Sequence, residues 1–513
     1  MDVSGGSHVG FIGVANGATI SNLRFSGSSI IGQSHVGTVA GQSIQSTFEN
    51  IHVTGGTVNC FGSGGHIGGL VGHLQGGQIY NSSADNHIFA YSNAGGLVGG
   101  ITAGGIVYGS EFRGTIEASD WSVGGLVGFM NPGVVENSHV RGAHIFGHDR
   151  SAGLVGGMGS NSHVRNSSVV DHLGAPTTVW GTYLVGGLVG SISTGTIYNS
   201  TSSATVIGVS SPVGGLVGQS TNAVISNSSF TGFVDGGAVR VGGLVGDSIN
   251  TPISWSHVTG DIIAPNAEFV GGLVGTMAGG TIMNSFVIGN VEGNLGVGGL
   301  VGNTFGDYPI QIFNAHVTGD VSGSIQVGGL VGRLMAGSQI HSSYVTGDVS
   351  GSTQVGGLVG MMQGGSLTSS FASGNVVGTN FIGGLVGMMQ GGSLTSSFAT
   401  GNVTGVMGVG GLVGGMQGGT LTNVFALNEF VTGAFDTHID VGSHFGAVTA
   451  TNVFYWVGAN GGSPNVHLTQ SQNVTSQQVW NTFPSAFWSG QGFVTPSWMA
   501  NSHNQFLLPV PGW

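Results

Sequence analysis

The chain has 513 residues and a formal charge of −13, and only 5% of it is Asp, Glu, Lys or Arg. It contains no lysine, and seven arginines face 20 acids. Such a balance excludes a nucleic-acid partner, which needs a basic footprint, and gives no attraction to anionic membrane surfaces. Glycine supplies 104 residues without a three-residue period, so the chain is not collagen-like. The lone cysteine, Cys60, cannot form an internal disulfide and reads as a small core or turn residue.

The chain starts MDVSGGSHVGF, without a basic segment followed by an apolar one, so no signal peptide is expected. No apolar run approaches the ~18 residues of a membrane span, so no membrane insertion is expected. A repeat organises most of the chain. Gly356–Ala372 recurs unchanged at Gly383–Ala399. Taking the Leu of VGGLVG as a marker, with Leu358 and Leu385 as its clearest copies, sixteen equivalents run from Ile12 to a degenerate one at His444. They lie 27 to 34 residues apart, and the longest interval contains His172–Tyr183, expected to bulge from one corner.

Within one unit, VGGLVG reads as a short strand, QGG as a turn, SLTSSFA as a half-buried strand of period two, and TGNV as a corner opening a third strand. No segment within the repeats has helical periodicity. The expected fold is therefore all-β: a parallel β-helix (β-solenoid), right-handed as parallel crossovers almost always are. With coils ~4.8 Å apart, sixteen would make a rod roughly 75 Å long. The solenoid is expected over 1–446. Residues 447–513 are expected to form an aromatic-rich cap over the last sheet edge, with a short helix starting at the capping box Thr475–Gln478.

Three columns should stack. One holds asparagines, among them Asn81, Asn137, Asn166, Asn199, Asn227 and Asn284, able to hydrogen-bond from coil to coil. Several match glycosylation sequons, but ladder use explains them first. A second holds aromatics, including Phe25, His139, His257, Phe286, Phe371 and Phe398. A third alternates Asp261, Asn290, Asp320, Asp348, Asn375 and Asn402, without the spacing of a calcium-binding β-roll.

GGLVG followed by turn, strand and TGNV or TGDV resembles the GLUG-motif repeat of bacterial surface proteins, including filamentous-haemagglutinin-like adhesins. The resemblance covers about residues 8–450, and the tail (NVFYW at 452–456, then LTQSQ) resembles the segment that often ends such arrays. It implies secretion and surface display, and it supplies no catalytic residue.

Candidate sites are few. His8, His35 and His66 share one column of three successive coils and form a weak candidate for Zn²⁺ or Cu²⁺, with no carboxylate or Cys beside them at a fixed spacing. No coil concentrates acids, His and Arg together, so no catalytic residue and no cofactor is expected, and the chain is not expected to be an enzyme. The first functional reading is an extracellular or cell-surface structural and adhesive rod, associating with itself or with a host or cell-surface ligand. The alternative is a carbohydrate-binding module or polysaccharide lyase. It would use a groove beside His172–Tyr183, where Trp180 and Tyr183 would stack a glycan. With 18 His, the net charge turns positive below about pH 5.

Overall fold

A computed structural model describes residues 1–474, apart from 211, 238, 307, 457, 458, 463, 464, 469 and 470. Apart from one helical turn, Ala459–Gly462, it is all-β. Parallel coils, repeating about every 28 residues, form a β-solenoid of about 16 turns. The chain divides into two compact units. One holds residues 1–294 and 300–308; the other holds 295–299 and the chain from Pro309 on.

The second unit shows the coil most plainly around Leu385. Five short strands, not three, make one turn: Asn380–Gly383, Val386–Met389, Ser393–Thr395, Phe398–Ala399 and Val403–Thr404. The VGGLVG segment is therefore a corner between two strands rather than one strand, and the Asn380–Gly383 strand lies in a different sheet from the other four. Each strand pairs in register with its copy in the coil before, as in Ser366↔Ser393 and Phe371↔Phe398. Leu358 N donates to Leu385 O at 2.9 Å, and Leu385 N to Leu412 O at 2.9 Å. Ile382, Leu385, Val386, Met389, Leu394 and Val403 point inward and are fully buried. Each such side chain contributes about 1.5–3 kcal/mol relative to exposure.

Two backbone demands explain the polar and glycine positions. At the second glycine of GGLVG the coils approach too closely for any side chain. A Cβ on Gly357 would lie 2.1 Å from Gly384 O, and one on Gly384 would lie 2.1 Å from Gly411 O. At the asparagine column the chain turns with positive φ, 45–50° for Asn81, Asn137, Asn166, Asn199, Asn227 and Asn284. Asparagine tolerates that left-handed conformation better than other side-chain-bearing residues. Where Asn is missing, Gly109, Trp255, Ser342, Ser369 and Ser396 take the same corner.

The residue after this corner points inward and is most often serine. Ser82 N donates to Ser110 Oγ, Ser110 N to Ser138 Oγ, and Ser138 N to Ser167 Oγ, at 3.1–3.2 Å. Each hydroxyl donates in turn to the carbonyl two residues back, as Ser110 Oγ does to Tyr108 O at 2.9 Å. The second unit repeats the ladder through Ser343, Ser370 and Ser397. A buried amide would otherwise be left unpaired at this corner.

Strand pairing does not stop at Gly446. Val448–Trp456 pairs along Gly419–Ala426, and Ser471–Val474 pairs with Val448–Trp456. The marker of the last coil is Asp440 rather than His444. Leu412 N donates to Asp440 O at 2.9 Å, whereas His444 lies opposite Met416. The buried Asp440 carboxylate accepts from Val441 N, His467 N, Leu468 N and Ser471 Oγ at 2.7–2.9 Å, so a polar side chain replaces leucine there. The helix expected from Thr475 and the four tryptophans beyond it lie outside the described residues.

Candidate functional site

Outside the core, the repeat lays equivalent side chains in columns, and these columns are the protein's chemical surface. The asparagines bond along their column where rotamers allow, Asn199 Nδ2 donating to Asn166 Oδ1 at 2.8 Å. In the acidic column each side-chain oxygen accepts a backbone amide of the next coil. Asp261 Oδ1 takes Asn290 N at 2.8 Å in the first unit, and Asp348 Oδ1 takes Asn375 N at 2.7 Å in the second. Asp and Asn serve equally there because the oxygen is what the corner uses.

The aromatic column is real in both units. His257 stacks on Phe286 at 4.8 Å, and Tyr344, Phe371 and Phe398 stack at 4.9–5.0 Å with planes within 3° of parallel. Phe25 does not belong to it. Phe25 pairs with Val53, while the column position in that coil is Arg24, opposite His52. Burial lowers the pKa of His257 and of His316 below the ordinary imidazole value.

His8, His35 and His66 come together as the column requires, with His8–His35 at 5.1 Å and His35–His66 at 5.3 Å between ring centres. A fourth ring, His73, packs 4.7 Å from His66 and 5.3 Å from His35. Column spacing does not reveal it, because it lies seven residues after His66, where the GGLVG corner turns the chain back. The Nδ1 atoms of His35, His66 and His73 are buried without a hydrogen-bond partner. Burial, then His73 and His8, holds His35 at about 4; burial, then His73 and His35, does the same for His66. The rings pack face and edge, and among the described residues no group of three or more His, Cys, Asp or Glu is placed to hold a metal ion.

Stacking also concentrates charge that no single coil carries. Glu111 accepts from Arg113 and, at 3.0 Å, from Arg141 one coil on. Arg113 Nη1 lies 3.2 Å from His172 Nε2, 59 residues away in sequence. No single coil holds this set; stacking brings it together from successive coils. Neighbours across the stack lie one or two coils apart in sequence, 30 residues for Glu111–Arg141 and 59 for Arg113–His172. Burial, followed by Arg141, lowers the pKa of His139 beside this network. Both Glu111 oxygens are taken by guanidinium groups, an arrangement that supports structure rather than acid–base chemistry.

An open groove of about 790 Å³ crosses the first unit and is bordered by Trp180 and Thr182 from the end of the longest inter-coil segment. That segment closes its own turn through His172 and Ala175, and from Thr178 rejoins the ladder. Cys60 is buried with its Sγ 3.2 Å from Gln33 O, and burial raises its pKa. No helix among the described residues is long and apolar enough to cross a membrane.

Comparison with known families matches the GLUG motif at residues 63–88, 181–207, 211–235, 293–322 and 323–350. No curated protein and no solved structure matches the chain.

Proposed function

Because the chain is a GLUG-repeat protein, we propose that it is a non-catalytic structural and adhesive scaffold displayed at the cell surface or outside the cell. The observation that carries this reading is the use of its polar side chains. Inner serines, corner asparagines and column Asp residues are spent on coil-to-coil bonds, and the charged network is closed on itself. What remains facing solvent is a nearly uncharged coat of hydroxyls, amides and stacked rings, which other surfaces can approach closely with little electrostatic penalty. A second copy of the chain is one such surface, so self-association rests on the same coat.

Protease treatment of intact cells producing the protein tests the location. Loss of the chain without loss of cytoplasmic markers supports display, and full protection refutes it. Sedimentation of the purified protein tests association. Concentration-dependent assembly supports self-association, whereas a monomer at every concentration tested refutes it.

A further inference from the structure

We propose that the groove in the first unit is a binding site for an extended, uncharged glycan strand. It spans five successive coils. One wall is a single register column, Asn59, Phe89, Glu117, Phe146 and Trp180. The other wall comes two residues later in each coil and includes Phe61, Tyr91, Ser119 and His148, with the small residues Cys60, Ala90, Ala118 and Gly147 between the two. At the coil spacing the groove is roughly 20 Å long.

Its aromatic rings are exposed where the fold gives no reason for it. Phe61 is 62% exposed, Tyr91 43%, Phe146 40% and Trp180 36%. Leaving such rings in water is unfavourable, and the feature is local. The same register position continues as Ile207 and Asp235, without an aromatic. Polar groups alternate with the rings rather than forming a separate rim: the Asn59 amide, the Glu117 carboxylate, and the Ser119 and Thr182 hydroxyls. A pyranose ring presents an apolar C–H face and an equatorial belt of hydroxyls, and it needs this alternation of flat aromatic surface with donors and acceptors. An extended hexopyranose chain also has a repeat close to the coil spacing, so successive sugars meet successive coils.

A neutral chain fits better than a charged one. Glu117 is bonded to His87 at 3.0 Å, and the nearby Arg150 guanidinium sits 5.0 Å over the Trp121 ring, so that guanidinium is not directed into the groove toward an acidic polymer. An apolar peptide would bury the Asn59 amide without a new partner, at a cost that opposes ring burial. This site is independent of the scaffold reading: a groove that binds nothing would leave that reading in place.

The test is calorimetric titration of the full chain with cellohexaose, chitohexaose and mannohexaose, with tryptophan fluorescence as a second readout. The expected result is saturable binding of at least one, weakened roughly tenfold or more by Trp180→Ala and by Phe146→Ala. Both side chains are solvent-exposed, so unchanged melting temperatures confirm that the variants fold. Trp255→Ala, removing an exposed ring outside the groove, leaves binding unchanged. Failure of all three oligosaccharides to bind, or full affinity in the Trp180→Ala/Phe146→Ala double variant, overturns the proposal.

Discussion

Replacing Gly384 by alanine is a severe one-methyl change to the coil architecture. The added Cβ would stand 2.1 Å from Gly411 O and 2.8 Å from the Ala399 Cβ, both fixed by the next coil and the opposite wall. Ordinary contact requires more than an ångström of further separation, yet Gly384 N and Leu385 N are held to Gly410 O and Leu412 O at 3.1 and 2.9 Å. Relief must come from displacing the ladder. Overpacking of this kind costs about 1–3 kcal/mol, and weakening one or two buried ladder bonds adds about 1 kcal/mol each, so the sum is about 2–5 kcal/mol. Because solenoid stability is nearly a sum of neighbour terms, the loss should be confined to the coils of Leu358, Leu385 and Leu412. Hydrogen exchange read by mass spectrometry, with urea melts, measures both size and place. Gly64→Ala, where an added Cβ meets nothing within 4 Å, is the control and should stay within about 0.5 kcal/mol. If Gly384→Ala exchanges and melts like Gly64→Ala, the close-approach explanation of the GG pair is wrong.

Two further outcomes concern the interior. Ser397→Ala removes the hydroxyl that accepts Ser370 N at 3.2 Å inside the core, and equilibrium unfolding should show a loss of about 1–2 kcal/mol. The four-histidine cluster should make its own coils acid-sensitive. His66 is held at about 4 in the folded state against 6.5 ordinarily, so the unfolded chain takes up the proton first as pH falls. Stability is intact above pH 6.5 and is lost as pH drops from 6.5 to about 4. His66 accounts for at most about 3 kcal/mol and the more solvent-screened His35 for less. Exchange protection around Val36 and Ile67 should fall over that window while protection around Leu394 does not; equal loss in both places would contradict it.

The coil period was legible because Leu358 and Leu385 mark identical inward positions, and an identical sequence in a stack meets an identical environment. The strand count was not, since period-two reading sees apolar alternation but not a corner between Gly383 and Val386, made by Gly384, which has no room for a side chain, and the inward Leu385. Asparagine was readable as a column, but its main task, the positive φ, leaves no pattern beyond residue choice, and the inward serine beside it hid inside the Asn-Ser-Ser triplets. The last marker was misplaced because Asp440 replaces leucine, and a buried carboxylate bonded to four donors carries no apolar signal. His73, the Glu111–Arg113–Arg141–His172 network and the opposite wall of the groove depend on which residues stack. Spacings that vary from coil to coil conceal that until the register is known.

Register is therefore the claim to test most directly. With Cys60→Ser as background, Thr368→Cys/Thr395→Cys places two thiols on register partners, with Cα atoms ~4.8 Å apart, within disulfide range. Thr368→Cys/Thr422→Cys separates them by two coils, ~9.6 Å, beyond the limit of about 7 Å. Mild oxidation followed by intact-mass measurement should show an internal disulfide in the first pair and free thiols in the second. Closure of the second pair, or failure of the first, would contradict the stacked-coil account.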